Sequence, residues 1–318
     1  MHILLTGSTG FIGKNVLQAF LNAGYEVTAL VRPETFRAHQ SDENPRLHYV
    51  SGLFYDPDVL SAIEGHIDAV VHVAAIRGAG KARKDDYHRV NVEGTRRLVD
   101  FALDKGIERF LYVSTVGVLG TIPQELPAAP DHEPAPDGAY HRSKWEGEKL
   151  VREAAPRSLR TLVLRPTITY GPGDTGFIPR MMAFIRKKRL LLPDREVHIH
   201  LLSVRRLARL IVQVLALDLF NGQVYQVADL QPVKIHALAD LMTRYLGGGY
   251  RRMPLWFFRR AAQFFSLAGR ADLTTSVRLL SESWHYDISR TTKDLLYEPA
   301  ETFAELETLL KNGEIGNV

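Results

Sequence analysis

Short apolar, β-rich runs alternate with longer amphipathic stretches from Met1 to about Val163, and that alternation predicts a parallel sheet covered by helices. Ile3-Leu4-Leu5 opens the first strand; residues 25–31, 47–50, 69–73, 110–114 and 161–164 read as strands two to six. Helical periodicity fills the gaps, first over 14–21. Residues 85–105 predict one long helix, with Val90, Leu98, Phe101 and Ala102 facing the core and Gly106 as its stop. The simplest architecture is an α/β fold with a doubly wound parallel sheet over residues 1–170, followed by a smaller α/β substrate subdomain over 171–318. In that second part 177–188, 204–217 and 235–246 read as helices and 224–227 as a strand, and some of these elements can cross back to the first sheet. Pro123, Pro127, Pro130, Pro134 and Pro136 make 121–137 an irregular surface loop, expected to border the active site.

Composition narrows the class. At 318 residues, with 45% hydrophobic and 24% charged residues, the chain reads as a soluble globular protein with a sizeable core and no apolar run long enough to span a bilayer. The first strand begins at His2, ahead of which no signal sequence fits, so the expected location is cytoplasmic. The absence of cysteine excludes disulfides, thiolate metal sites and a cysteine nucleophile. The formal charge of +4 suits an anionic cofactor, and the basic groups Arg186-Lys187-Lys188-Arg189 and Arg205-Arg206 lack the interleaved aromatics of a nucleic-acid groove. His198 and His200 would share one side of a strand, but without a third ligand they indicate no metal site.

Candidate chemistry begins at Thr6-Gly7-Ser8-Thr9-Gly10-Phe11-Ile12-Gly13, between the first strand and first helix. Glycines there let backbone approach a pyrophosphate, and the helix N-terminus supplies unpaired N–H groups, so Gly7, Thr9, Gly10, Phe11, Ile12 and Gly13 are expected to hold a dinucleotide. Tyr140 and Lys144 stand at i, i+4 on one helix face, where an ammonium favours the phenolate and suits the phenol to proton transfer. Ser114 and Thr115 follow the fifth strand, at the end of the sheet where ligands bind.

The glycine turn, Asn91-Val92-Glu93-Gly94-Thr95, Ser114-Thr115, Tyr140/Lys144 and Leu164-Arg165-Pro166 together resemble the extended short-chain dehydrogenase/reductase family, also called the NAD-dependent epimerase/dehydratase family. The resemblance runs over most of the chain. It implies a Rossmann fold and hydride transfer at a nicotinamide, with Tyr140 as acid/base, Lys144 also holding the nicotinamide ribose, and Thr115, or failing it Ser114, orienting the reacting oxygen. It also implies that Ala74, Ala75, Asn91 and Pro166 line the cofactor. His72 reads more simply as a satisfied strand-end histidine. A homodimer through 85–105 and 140–153 is a further expectation from the family.

Departures from the family pattern narrow the activity. Arg32 ends the second strand where an acidic residue usually takes the ribose hydroxyls, and with Arg37 as second support it predicts NADP(H) over NAD(H). Leu53 replaces the acid that similar sequences place near the adenine. Val116-Gly117 stands where sugar dehydratases carry an acidic pair, so dehydration is not expected. Ile199, Ser203 and Arg206 replace the Arg, His and Asp of nucleotide-sugar binders, though Arg180 or Arg195 could compensate. The tail around Trp256-Phe257-Phe258 is similar to the 3β-hydroxysteroid-dehydrogenase-like branch, and Leu30-Val31-Arg32-Pro33 to the dihydroflavonol-reductase branch. The aromatic helix there reads first as part of the subdomain core, with a substrate lid or a membrane-surface contact as alternatives. The expected function is an NADP(H)-dependent oxidoreductase interconverting a secondary alcohol and a ketone on a small, moderately apolar molecule. Its rivals are a nucleotide-sugar epimerase and a non-catalytic NADP-sensing regulator.

Overall fold

The computed structural model describes residues 1–36, 44–77, 83–155 and 158–315. β1 (His2–Thr6), β2 (Glu26–Val31), β3 (Leu47–Ser51), β4 (Ala69–His72), β5 (Arg109–Val113) and β6 (Arg160–Pro166) follow the predicted runs within a few residues. With β11 (Val224–Val227) they form a seven-stranded sheet in the order β11-β6-β5-β4-β1-β2-β3, every pair parallel. The strand predicted at 224–227 thus crosses back to the first sheet, where Tyr225 pairs with Leu164. Successive β1 side chains serve opposite faces: Ile3 and Leu5 meet Val16 and Phe20, while Leu4 meets Leu98 and Val151. The chain reverses its winding between β1 and β4, opening a crevice beyond their carboxyl ends.

The helices of the first half are α1 (Phe11–Asn22), α2 (Pro33–Phe36), α3 (Pro57–Ser61), α4 (Lys84–Tyr87), α5 (Gly94–Asp104) and α6 (Gly138–Ala154). The long helix predicted over 85–105 is interrupted: His88–Glu93 form a π turn between α4 and α5. At this turn the Asn91 amide bonds the backbone of Ile76, and Thr95 Oγ1 donates to the Asn91 carbonyl at 2.7 Å, drawing the helix toward the crevice.

The remaining elements are α7 (Phe177–Arg186), α8 (Val204–Ala216), α9 (Ile235–Leu246), α10 (Leu255–Leu267), α11 (Ala271–Ser281), α12 (Ser289–Asp294) and α13 (Thr302–Lys311), with three two-stranded ladders. The ladders join β7 (Ile168–Tyr170) to β10 (Leu201–Ser203), β9 (His198–Ile199) to β12 (Val233–Lys234), and β8 (Leu190–Pro193) to β13 (Tyr250–Met253). α8 packs with α1 on the central sheet, whereas α7, α9 and α13 enclose a separate core around Trp284.

Two expectations need correction. Residues 121–137 are irregular but not wholly superficial: Ala128 is buried, and Arg165 donates to the Pro130 carbonyl at 3.0 Å. The aromatic helix does not sit in a core either, since Phe258 is the only buried residue of α10. Among the described residues no helix is long and apolar enough to cross a membrane.

Candidate active site

Backbone sterics shape the crevice at the end of β1. Gly7 has φ +80°, and a Cβ there would lie 2.6 Å from the Ala74 nitrogen; a Cβ at Gly13 would lie 1.9 Å from the Gly7 carbonyl oxygen. Gly10 donates its N–H to Gly7 O at 3.0 Å and N-caps α1 without a side-chain cap, leaving the first-turn N–H groups available to an anion. Ser8 Oγ is buried with no hydrogen-bond partner among the described residues. Bare backbone, a helix N-terminus and an orphaned hydroxyl fit the pyrophosphate of a dinucleotide.

Thr9, Phe11 and Ile12 form the half-buried rim, and Ala74 and Ala75 lie half-buried across the crevice after β4. Pro166 is buried at the end of β6, paired with Val227. Arg32 lies beyond β2, its side chain 63% exposed and 3.3 Å from Glu34; Arg37 falls outside the described residues. His72 is fully buried, bonded to Thr6 Oγ1 at 2.7 Å and Thr95 Oγ1 at 3.0 Å, and burial holds its imidazole neutral.

The predicted proton-transfer residues sit on α6, whose first turn is anchored by Asp137. Asp137 accepts from Thr121 N at 3.0 Å and Thr121 Oγ1 at 2.9 Å, and bonds His141 Nδ1 at 2.7 Å. Burial alone would raise its pKa, but these hydrogen bonds outweigh that and bring it down to about 2. Thr121 and Asp137 thereby tie the two ends of the proline-rich segment together at the base of Tyr140. Tyr140 is half-buried. Burial raises its phenol above the ordinary value, and the positive charge opposing that rise is Arg77, on the loop after β4.

Lys144 is buried one turn later, its Nζ 4.0 Å from the centre of the Tyr112 ring. Burial lowers its pKa to about 7 despite the opposing pull of Glu148. Asn91 connects this helix to the β4 loop: its amide accepts from Ile76 N at 2.8 Å and donates to Ser143 Oγ at 2.9 Å, and Ser143 donates to the Tyr140 carbonyl. The side chain of Asn91 therefore positions the tyrosine turn.

Ser114 and Thr115 point to different duties. Ser114 is buried and donates to Glu148 Oε2 at 2.8 Å, whereas Thr115 is half-buried and caps the 3-10 turn Val116–Leu119 by accepting from Gly117 N at 3.1 Å. Arg165 completes the buried group, donating from Nη2 to Glu148 Oε1 at 2.6 Å. Gly147 lets α6 approach this layer, because a Cβ there would lie 2.5 Å from Tyr112 Oη and 2.9 Å from the Asn91 carbonyl oxygen. Gly147→Ala is therefore expected to destabilise the fold by about 1–3 kcal/mol and to weaken dinucleotide binding. Urea denaturation and cofactor titration check this; an unchanged midpoint would show that the contact relaxes freely.

The profile of the NAD-dependent epimerase/dehydratase family matches residues 3–228. The chain belongs to that family. This epimerase/dehydratase-family chain is 30% identical over 251 residues to a 4-hydroxy-2-methyl-3-oxo-4-farnesyl-3,4-dihydroquinoline-1-oxide ketoreductase of Stigmatella aurantiaca, covering 78% of this chain and 74% of the relative. It is 29% identical to a UDP-glucose 4-epimerase of Vibrio cholerae, covering 95% and 92% of the two chains. Its fold is that of UDP-glucuronic acid 4-epimerase from Bacillus cereus, solved in complex with NAD, with a TM-score of 0.75, 21% identity, and coverage of 99% of this chain and 100% of that one. As a member of the epimerase/dehydratase family the protein is an enzyme that binds NAD(P), which removes the non-catalytic regulator from consideration.

Several residues of this family member's site escaped sequence reasoning. Glu148 carried a usable signal, since it continues the Tyr140/Lys144 stripe by another i+4 step on a helix whose Ser143, Lys144, Gly147 and Val151 are buried. Ser143, Asp137, His141 and Arg77 carried none beyond proximity to named motifs. The two histidines of 198–200 diverge: His198 is half-exposed beside Glu196, while His200 is buried, accepting from Tyr286 N and donating to the Asp229 carbonyl at 2.8 Å. Among the described residues no group of three or more His, Asp or Glu side chains is placed to hold a metal ion.

Proposed function

We propose that this enzyme interconverts a secondary alcohol and a ketone on a small, moderately apolar molecule, with NADP(H) preferred over NAD(H). The bound dinucleotide supplies hydride to the carbonyl carbon, or accepts it from the alcohol carbon. Tyr140 gives its phenolic proton to the carbonyl oxygen in reduction and takes a proton from the hydroxyl in oxidation. Lys144 holds the nicotinamide ribose and favours the phenolate once charged, and Thr115 orients the reacting oxygen. Gly7, Thr9, Gly10, Phe11, Ile12 and Gly13 hold the pyrophosphate, with Ala74, Ala75 and Pro166 along the wall and Asn91 fixing the tyrosine turn.

The observation carrying this assignment is the face of α6, where a half-exposed Tyr140 precedes by one turn a Lys144 buried at the ends of the parallel strands. Alcohol–ketone chemistry is favoured over dehydration because the positions after Thr115 are the buried Val116 and Gly117, which can neither give nor take a proton. Ile199 and Ser203 are likewise buried and uncharged, so neither supplies the charged side chain that nucleotide-sugar binders carry at its position. The Stigmatella aurantiaca ketoreductase supports an apolar ketone as substrate.

Arg32 supports the phosphate-bearing cofactor. Its exposed pair with Glu34 is worth only about 0.2–1 kcal/mol, less than the roughly 1.5–3 kcal/mol of a charge-assisted bond to a 2′-phosphate, so the guanidinium should exchange partners. NADP is expected to bind about tenfold or more tightly than NAD, with Arg32→Ala erasing the difference. Calorimetric titration of both cofactors, followed by an NADPH-consumption screen of apolar ketones, tests the assignment. Tighter NAD binding would reverse the cofactor preference. The second reading is the epimerase, favoured by the near full-length Vibrio cholerae relative; turnover of UDP- or dTDP-sugars without net NADPH change would establish it instead. A homodimer through α5 and α6 belongs to the same proposal.

A further inference from the structure

The α10–α11 hairpin presents an apolar face that nothing among the described residues covers. Trp256 is 65% exposed, Phe264 66% and Leu267 91%. With Arg260 they lie at i, i+4, i+8 and i+11, a spacing that sets all four on one side of α10, flanked by exposed Arg259. The opposite side, holding Phe258, Ala261, Ala262 and Phe265, is turned inward toward α11.

Charge selects the occupant. Residues 250–271 carry Arg251, Arg252, Arg259, Arg260 and Arg270 and no acidic residue, Arg270 being turned to the neighbouring Asp272. Two copies joined through this face would set arginines against arginines, and a nucleic acid would leave the Trp256, Phe264 and Leu267 side chains in water. An aromatic and aliphatic ridge bordered by guanidinium groups matches the boundary between acyl chains and anionic headgroups. We infer that the exposed face of α10 docks this enzyme on an anionic phospholipid surface.

The hairpin also reaches the active site. At the end of α11, Arg278 Nη1 lies 3.9 Å from Asp137 Oδ2, the N-cap of the helix carrying Tyr140. A surface held by α10 therefore stands one hairpin away from the proton-transfer residues. The docking itself does not depend on which substrate or cofactor the enzyme uses.

Co-sedimentation with phosphatidylcholine vesicles, with and without about 30% phosphatidylglycerol, tests the inference. The expected result is at least about tenfold tighter binding to the anionic vesicles, weakened by added salt. The triple change Trp256→Ser, Phe264→Ser, Leu267→Ser and, separately, the pair Arg259→Ser, Arg260→Ser should each lower that binding about tenfold, with circular dichroism and dinucleotide affinity unchanged. Equal binding to both vesicle types would overturn the proposal, as would a triple variant that sediments like the parent. It would also fall if the parent ignored vesicles and the triple variant turned a dimer into a monomer, which would assign the face to a second copy.

Discussion

Tyr140→Phe is expected to lower kcat by roughly 10²- to 10⁴-fold, the range over which a positioned acid or base contributes, while dinucleotide affinity stays within about threefold of the parent. Phenylalanine keeps the ring on the first turn of α6 and removes only the hydroxyl, so the Asn91–Ser143 contacts, which end on the Tyr140 backbone carbonyl, persist. The pH dependence has a definite sign. Burial raises Tyr140 above the ordinary phenol value, so the protonated form that reduction requires persists through neutral pH; at saturating dinucleotide the reductive rate falls as the phenol ionises on the alkaline side, while loss of the Lys144 proton near pH 7 acts on cofactor affinity. Oxidation requires the ionised form and should rise with pH over the same range. Stopped-flow measurement of both directions checks this. A variant retaining kcat within about threefold would place the proton donor elsewhere.

The glycine cradle was legible because its function is steric: wherever a strand runs into a helix through Gly7, Gly10 and Gly13, close backbone approach follows from the missing side chains. Tyr140 and Lys144 were legible for a similar reason, since i, i+4 spacing survives in any helix. What escaped depends on neighbours. The strand at 224–227 was recognisable from its residues, but its place beside β6 was set by which edge of the central sheet remained open. The π turn at His88–Glu93 barely alters helical periodicity, and its visible mark is Asn91 between two buried valines. On α10, aromatic residues suggested a core; the contrary signal was Arg259-Arg260 interleaved among them, which no interior accommodates without acids.

Glu148→Gln is expected to remove about 3–5 kcal/mol of stability, against roughly 5–15 kcal/mol for a typical domain. The reason lies less in the bonds lost than in what stays behind. The Arg165 side chain is 2% exposed and Glu148 fully buried, so an amide at 148 leaves a guanidinium inside the protein without the carboxylate bonded to it. Ser114 still finds an oxygen to donate to, but the bidentate pairing to Arg165 does not survive, because an amide nitrogen cannot accept. Replacing both partners with methionine removes the stranded charge, and that double variant should regain most of the stability. Urea denaturation of the parent, the single variant and the double variant separates the two effects; a double variant no more stable than the single would show that hydrogen bonds, not charge balance, govern this layer. The same substitutions bear on chemistry through Lys144, one turn from Glu148. Glu148 supports the Lys144 ammonium against burial, so the double variant should fold yet carry a Lys144 pKa below about 7. Its dinucleotide affinity would then begin to weaken at a lower pH than in the parent, as the lysine loses the proton it is proposed to donate to the ribose. Stability and cofactor binding, both altered in the single variant, would thus part company in the double one, a result that a merely structural role for Glu148 does not predict.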